Sequence, residues 1–402
     1  MTKVARPDHV PADLVRDFDL YDIPGAAEDV QAAYAAIQQS SPDIFWTPHN
    51  GGHWVATRGE DIVAMQRDYR HFSHRHILIP PMPEGTPRQI PLEMDPPEHS
   101  RYRRPLTQAL MPAIVAGLDE AVRKVATAAI ERVWSKGACE FIEDFANILP
   151  IHVFLELVRI PIADKAVLLP LAEDAVRGRD AETRLAAHQA MGLYLLDKVR
   201  DRRRDPGDDL LSRIVNVDTG GARISESEAV AYATLVLFGG LDTVAGMLGF
   251  IARFLALNPG HRAQLVARLD DDAYLSRAVE ELIRRHGLAN TARMVAEDYE
   301  FKGIGFRAGD RILPANLFVG LDDRLNPAPL AVDFERENGV HAAFGNGPHA
   351  CPGAILARRE IRVFLEEWLR RIPDFAIRPG STPRLATGMV NGVLELELVW
   401  PP

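Results

Sequence analysis

The stretch Phe344-Gly345-Asn346-Gly347-Pro348-His349-Ala350-Cys351-Pro352-Gly353 limits what this chain can become more than any other. With three glycines and two prolines in ten residues it cannot be a regular element, and an amphipathic helix begins straight after it, near Ala354. Glycines at 345, 347 and 353 let the backbone turn tightly and lie close against a flat object. A thiol just ahead of a helix N-terminus has its thiolate favoured by the helix dipole, which is how a protein holds a metal-bound sulfur. A lone cysteine is more often a small buried hydrophobe. The residues around Cys351 reverse that expectation.

The loop resembles the haem-binding signature of the cytochromes P-450, Phe-Gly-x-Gly-x-His-x-Cys-x-Gly, and matches it at every specified position. The resemblance implies that Cys351 is the axial thiolate on the iron of haem b, its electron donation favouring O–O cleavage. It also implies that His349 hydrogen-bonds a haem propionate, that Phe344 packs near the sulfur, and that Gly353 completes the cofactor-binding loop. Backbone amides aimed at the sulfur would tune the iron.

The rest of the composition is compatible with this. No Ser/Gly-rich linker, low-complexity tract or internal repeat divides the 402 residues, so residues 1–402 read as one domain. A hydrophobic content of 47% is enough to enclose a cofactor, and a formal charge of -10 argues against nucleic acid as a partner. Cys139 and Cys351 are the only cysteines, which excludes a disulfide framework or a four-cysteine zinc site and points to a reducing, cytoplasmic location. Residues 1–20 show no targeting pattern, and the most apolar segment, residues 229–241, is too short to span a bilayer. The expectation is a soluble protein with no membrane partner.

Along the chain, periodicity predicts a helix over residues 26–39, a strand over 53–57 and a helix from Asp61. Residues 73–92 are Pro-rich and aperiodic, the length of loop that is functional or disordered. From 113 to 270 the pattern is mostly helical, with turns expected at Gly137, Pro150, Pro161 and residues 205–209, and with Ser225 or Ser227 capping the helix that follows. That helix carries Gly239-Gly240, a pair unfavourable in a helix by roughly 1 kcal/mol each relative to alanine, so a reason should exist. Close helix packing is the plain one; room for a flat ring and dioxygen is the functional one, with Thr243 bonding back to the Gly239 carbonyl. A hairpin over 300–314 turning at 307–310, a helix over 354–371 and an alternating strand over 393–399 complete the reading.

Further motifs match the same family. Met94-Asp95-Pro96-Pro97-Glu98-His99 with Arg103 resembles its Asp-Pro-Pro-x-His-x-x-x-Arg segment, where both His99 and Arg103 meet a haem propionate; a solvated basic face is the alternative. Asp242 and Thr243 match its acid-alcohol pair, the proton-delivery residues, with Arg177 or Arg179 as a candidate basic partner of Asp242. Glu281 and Arg284 match its structural Glu-x-x-Arg, and Arg293 a further propionate ligand. The runs 357–361, 371–375 and 398–400 are similar to the soluble bacterial camphor hydroxylases in particular.

The resemblance implies a mainly α fold with a small β region, enclosing haem between the Asp242 helix and the Cys351 loop. It implies a monooxygenase that uses dioxygen and two electrons from a [2Fe-2S] ferredoxin with its NAD(P)H-dependent reductase. Arg101, Arg103, Arg104, Arg358 and Arg359 are the candidate docking face for that ferredoxin. A peroxygenase or isomerase is disfavoured by the intact acid-alcohol pair, and a haem-thiolate sensor by the lack of a spare output module. The inferred substrate lining is Leu78, Pro87, Leu92, Leu235, Phe238, Gly239, Ala289, Met389 and Val390. Residues 73–93 contain no tyrosine, and Pro87 stands where the camphor-specific members place theirs. A pocket without a fixed donor discriminates by shape, and a small terpenoid or norisoprenoid is the expected substrate.

Overall fold

The longest apolar helix organises the structure. The computed structural model describes residues 3–82, 86–178 and 180–401, with the backbone alone at 176, 177 and 181. Ser225 starts the central helix with a capping box: its hydroxyl accepts from the Glu228 amide while the Glu228 carboxylate accepts from the Ser225 amide. Helix Glu226–Leu241 then runs to Asp242, where the backbone departs to φ -111°, and resumes as Thr243–Leu257. Both halves are buried around most of their circumference, as a core helix requires. The combined Glu226–Leu257 is long and apolar enough by length and composition to cross a membrane, unlike the shorter segment expected, because the helix resumes after the break. Of its most apolar window 67% is buried inside the protein, the mark of a core helix.

Helices Lys165–Arg177 and Ala181–Arg204 pack on each other and on the first half of the central helix. The second half packs against Ala354–Arg371, which in turn packs on Asp119–Trp134. The largest sheet has the order Ile44–Thr47, His53–Ala56, Arg311–Pro314, Arg293–Val295, Phe72–Ser73; only the second and third strands pair in parallel. It carries Arg293 to the site.

Several boundaries differ from expectation, each for a local reason. The first helix is Val30–Ser40, because the Asp29 carboxylate takes the Ala32 amide and caps it there. Pro150 does not make a turn: it lies in the first turn of Ile148–Leu157, where a missing N–H is harmless. The hairpin turns at Lys302-Gly303, both at positive φ, joining Tyr299–Phe301 to Ile304–Phe306. Residues 307–310 are instead tied by Asp310, whose carboxylate accepts from Trp54 Nε1 and the Arg307 amide, and the chain leaves for the large sheet. The last strand splits at Leu396, whose amide donates to Glu140; Gly392–Glu395 and Glu397–Val399 join different sheets.

Candidate functional site

The Cys351 loop is built against helix Gly59–Arg67. Gly347 has φ +69°, and a Cβ there would stand 2.8 Å from the Gln66 carbonyl oxygen, so both conformation and space demand glycine. Asn346 Nδ2 donates to Gln66 Oε1 at 3.1 Å. The Cys351 amide donates to the Phe344 carbonyl at 2.7 Å, closing the loop, and the Arg358 guanidinium covers the Phe344 ring at 4.6 Å. Cys351 is exposed, yet protein crowds it closely, so the surface it offers faces inward. Burial pushes its thiol up; the amides of Gly353 and Ala354 and the charges of Arg103 and Arg358 pull the other way.

Beside the sulfur lies a concentration of basic groups. The His349 ring stacks on His74 at 3.3 Å and 12°, and His99 leans on His349 at 4.1 Å. Arg293 and Arg103 act on the same rings, and Arg103 also donates to the Ala350 carbonyl. Both ring nitrogens of His74 and of His349, Nε2 of His99 and Nε of Arg293 are buried without a hydrogen-bond partner. Burial and mutual repulsion press His349 down to about 2 and His99 to about 4, hold His74 well below its usual value, and burial lowers Arg293 to about 9. Asp95 is the acid that opposes this, and its two oxygens are already on Ser73 Oγ and the His74 amide. Buried donors left open at such density suit a ligand that brings carboxylates. The two propionates of haem have that chemistry, so the residues present fit the group.

The central helix supplies the opposite wall's machinery. Thr243 donates its hydroxyl to the Gly239 carbonyl at 3.0 Å across the break. The two glycines prove unlike. A Cβ on Gly240 would stand 2.4 Å from the Phe154 ring, which is the plain packing reason, whereas one on Gly239 would meet nothing within 4 Å. Gly239 is exposed although Phe238 beside it is buried and Gly240 half-buried, so it faces internal space. Of the two arginines considered for Asp242, Arg179 and the side chain of Arg177 lie outside the described residues.

Glu281 and Arg284 stand apart as a buried bidentate pair at 2.7 and 2.8 Å. Arg284 also donates to the carbonyls of Gly320, Pro329 and Ala331. Burial pushes the Glu281 carboxyl up, but Arg284, the Asp333 amide and Arg336 outweigh it and hold it below the usual range.

Of the substrate-lining set, Phe238 and Met389 are buried, while Leu78, Leu92, Leu235, Ala289 and Val390 are half-buried. Ala289 and Val390 are bridged backbone to backbone. Pro87 is exposed, as is Gly239. Sequence reasoning missed His74, Arg336 and Arg184. A histidine in an aperiodic loop and an arginine in a first helical turn carry no periodic signal of burial, though Arg184 proves only 1% exposed.

Comparison with known proteins agrees with the geometry. The family model Cytochrome P450 matches residues 188–389. The "Probable cytochrome P450 127A1" of Sinorhizobium fredii (strain NBRC 101917 / NGR234) is 35% identical over 404 residues, spanning 98% of this chain and 96% of that protein. The "Mycinamicin IV hydroxylase/epoxidase" of Micromonospora griseorubida is 32% identical, spanning 91% and 94%. The crystal structures of CYP101J2 and CYP101C1 match with TM-scores of 0.89 and 0.90, at 37% and 35% identity, over 99% of this chain and 100% of each of theirs. Likeness of this extent, along nearly the whole length, makes the chain a member of the cytochrome P450 family of haem-thiolate monooxygenases.

Proposed function

We propose that this cytochrome P450 hydroxylates a small apolar terpenoid or norisoprenoid, such as an ionone, in the cytoplasm. We assign its electrons to a [2Fe-2S] ferredoxin with an NAD(P)H-dependent reductase, and residues 1–402 to one domain around the haem. The observation that carries the reading is the broken central helix, with Thr243 bonded to the Gly239 carbonyl beside open space. Held by Cys351, haem supplies dioxygen activation and transfer of one oxygen atom to a C–H bond.

The chain's own groups do the rest. His99, Arg103, Arg293 and His349 would hold the haem propionates. With its proton on the Gly239 carbonyl, Thr243 Oγ1 keeps lone pairs to accept a hydrogen bond over Gly239, and by rotating it can donate one. Asp242, next in the break, relays protons to it. Leu235, Phe238, Ala289 and Met389 exclude water and orient the substrate by shape.

The docking face needs revision. Arg358 is engaged by Glu280 and Arg359 by Asp119, which leaves Arg101 and Arg104 as its exposed cations. The helix that bears them ends at Ala109, and the short helix Pro112–Ala116 that follows brings Met111 and Ile114, both exposed, next to a cavity of about 540 Å³ lined by Pro112, Ile355 and Arg358. An acidic ferredoxin with an apolar contact suits this surface.

The absorption spectrum of the reduced carbon monoxide complex tests thiolate ligation: Cys351→Ala should lose the thiolate signature and turnover together. Hydroxylation that requires NADH, ferredoxin and reductase tests the monooxygenase reading. Camphor giving a larger high-spin shift than an ionone would count against the substrate assignment.

A further inference from the structure

Five arginines are buried among the described residues, and a buried guanidinium is costly unless a carboxylate accompanies it. Three have one from the chain itself: Arg262 has Asp374, Arg284 has Glu281 and Arg285 has Asp29. Arg293 belongs to the cluster that fits the haem propionates. Arg184 has neither. Its Nη1 donates to the Gly178 carbonyl at 2.7 Å, while Nε and Nη2 are buried with no hydrogen-bond partner. Those two nitrogens form one edge of the planar group, with the spacing that matches both oxygens of a carboxylate. The neighbouring acid, Asp180, is exposed and already caps the helix by accepting from the Thr183 amide at 2.7 Å.

Two neighbours link Arg184 to the inferred substrate lining. His188, one turn further along the same face, packs its ring perpendicular to that of Phe238 of the central helix, with centroids 4.7 Å apart. Tyr21, which feels the Arg184 charge, donates to the Ile79 carbonyl at 2.7 Å. The same ring lies so close to Gly388 that a Cβ there would be 2.9 Å from it. Through Tyr21 and His188 the neighbourhood of Arg184 is thus joined to Ile79, Phe238 and Gly388.

We infer that Arg184 anchors a carboxylate of the substrate through its Nε and Nη2 edge, so that the native substrate is a small apolar skeleton bearing one acid group. The inference rests on the monooxygenase reading and goes beyond it: to a pocket that orients an apolar skeleton by shape it adds one fixed polar anchor, which favours an acid-bearing terpenoid over an ionone. A carboxylate so held fixes which end of the skeleton meets the haem. An isostere lacking it leaves the site's buried donors open, and sites of that kind discriminate by far more than a methylene does.

Perillic acid and perillyl alcohol share one monocyclic skeleton and serve as probes in spin-state titrations of the haem-loaded enzyme. The acid should bind at least about 30-fold more tightly than the alcohol, and Arg184→Leu should weaken the acid about 100-fold more than the alcohol. Arg184→Lys, which keeps charge without the fork, should recover part of the loss and covers the case in which the leucine variant does not fold. Equal or tighter binding of the alcohol by the unaltered enzyme, no spin shift with the acid, or equal loss of both ligands in the variants would overturn the inference. A normal reduced carbon monoxide spectrum alongside any of these confines the failure to the substrate; an absent thiolate signature is failure of the monooxygenase reading instead.

Discussion

Arg284 and Arg184 are each 1% exposed, and they are opposites. Every nitrogen of Arg284 has a partner from the chain: two on Glu281, with carbonyls of Gly320, Pro329 and Ala331 filling the rest. Arg184 has a single bond and an open edge. The same contrast separates the Glu281 region from the stack of His74, His349 and His99. A buried charge that the chain completes holds the architecture; one that it leaves incomplete is reserved for something that arrives.

Removing charge in the two regions breaks the comparison most directly. Glu281→Gln leaves Arg284 and Arg336 without their counter-charge and should cost about 3–5 kcal/mol, with loss of bound haem, in denaturant titration. Arg184→Leu removes a charge with no carboxylate hydrogen-bonded to it, only the exposed Asp180 acting from a distance, and its thermal midpoint should hold or rise. A large fall for Arg184→Leu would make it architecture too.

The pH response sharpens the contrast at the histidines. His99 is depressed to about 4 and His53, buried in the large sheet, to about 3, in both cases chiefly by burial. An unfolded histidine titrates near 6.5, so below that pH the unfolded chain binds protons that the folded chain refuses. Stability therefore falls on acidification from about 6.5 down to about 4 for His99 and about 3 for His53, by about 1.4 kcal/mol per pH unit for each. Haem carboxylates beside the cluster favour its charged forms and should remove its share of the slope, leaving that of His53 and the other depressed histidines outside it. Identical slopes for haem-free and haem-loaded protein would mean that the cluster does not face carboxylates.

Thr243 is half complete: its proton is placed, its lone pairs are not. Thr243→Ala should go on consuming NADH while product per NADH falls roughly tenfold, about 1.4 kcal/mol of partitioning, with peroxide making up the difference. Unchanged coupling would remove Thr243 from proton delivery.

What was legible in the sequence follows from how locally each feature is determined. The Cys351 loop, the Ser225 cap, the Thr243 bond to Gly239 and the Glu281–Arg284 pair depend on residues within a few positions of one another, and residue type alone exposes them. The turn at Lys302-Gly303 was misplaced because Arg307-Ala308-Gly309-Asp310 offers an equally good local signal, and only the distant Trp54, bonded to Asp310, decides between them. Arg184 and His74 were invisible for the same reason. Their neighbours, Tyr21 for Arg184 and His349 and His99 for His74, lie far away in sequence, and only tertiary packing brings them near.

Gly239 and Gly240 carry the smallest effect, and they set completed against open structure within one dipeptide. Gly240→Ala drives a methyl to 2.4 Å from the Phe154 ring, and such overpacking should destabilise by about 1–3 kcal/mol. Gly239→Ala meets nothing within 4 Å and gains helix propensity, so the haem-free chain should be more stable by up to about 1 kcal/mol. The gain has a functional cost, since the methyl enters the space beside Thr243 and should weaken spin-state responses to bulky ligands. Opposite signs in denaturant titration are therefore expected from adjacent, chemically identical substitutions. Equal destabilisation by both would mean that Gly239, like its neighbour, serves packing, and the space over the helix break would lose its main support.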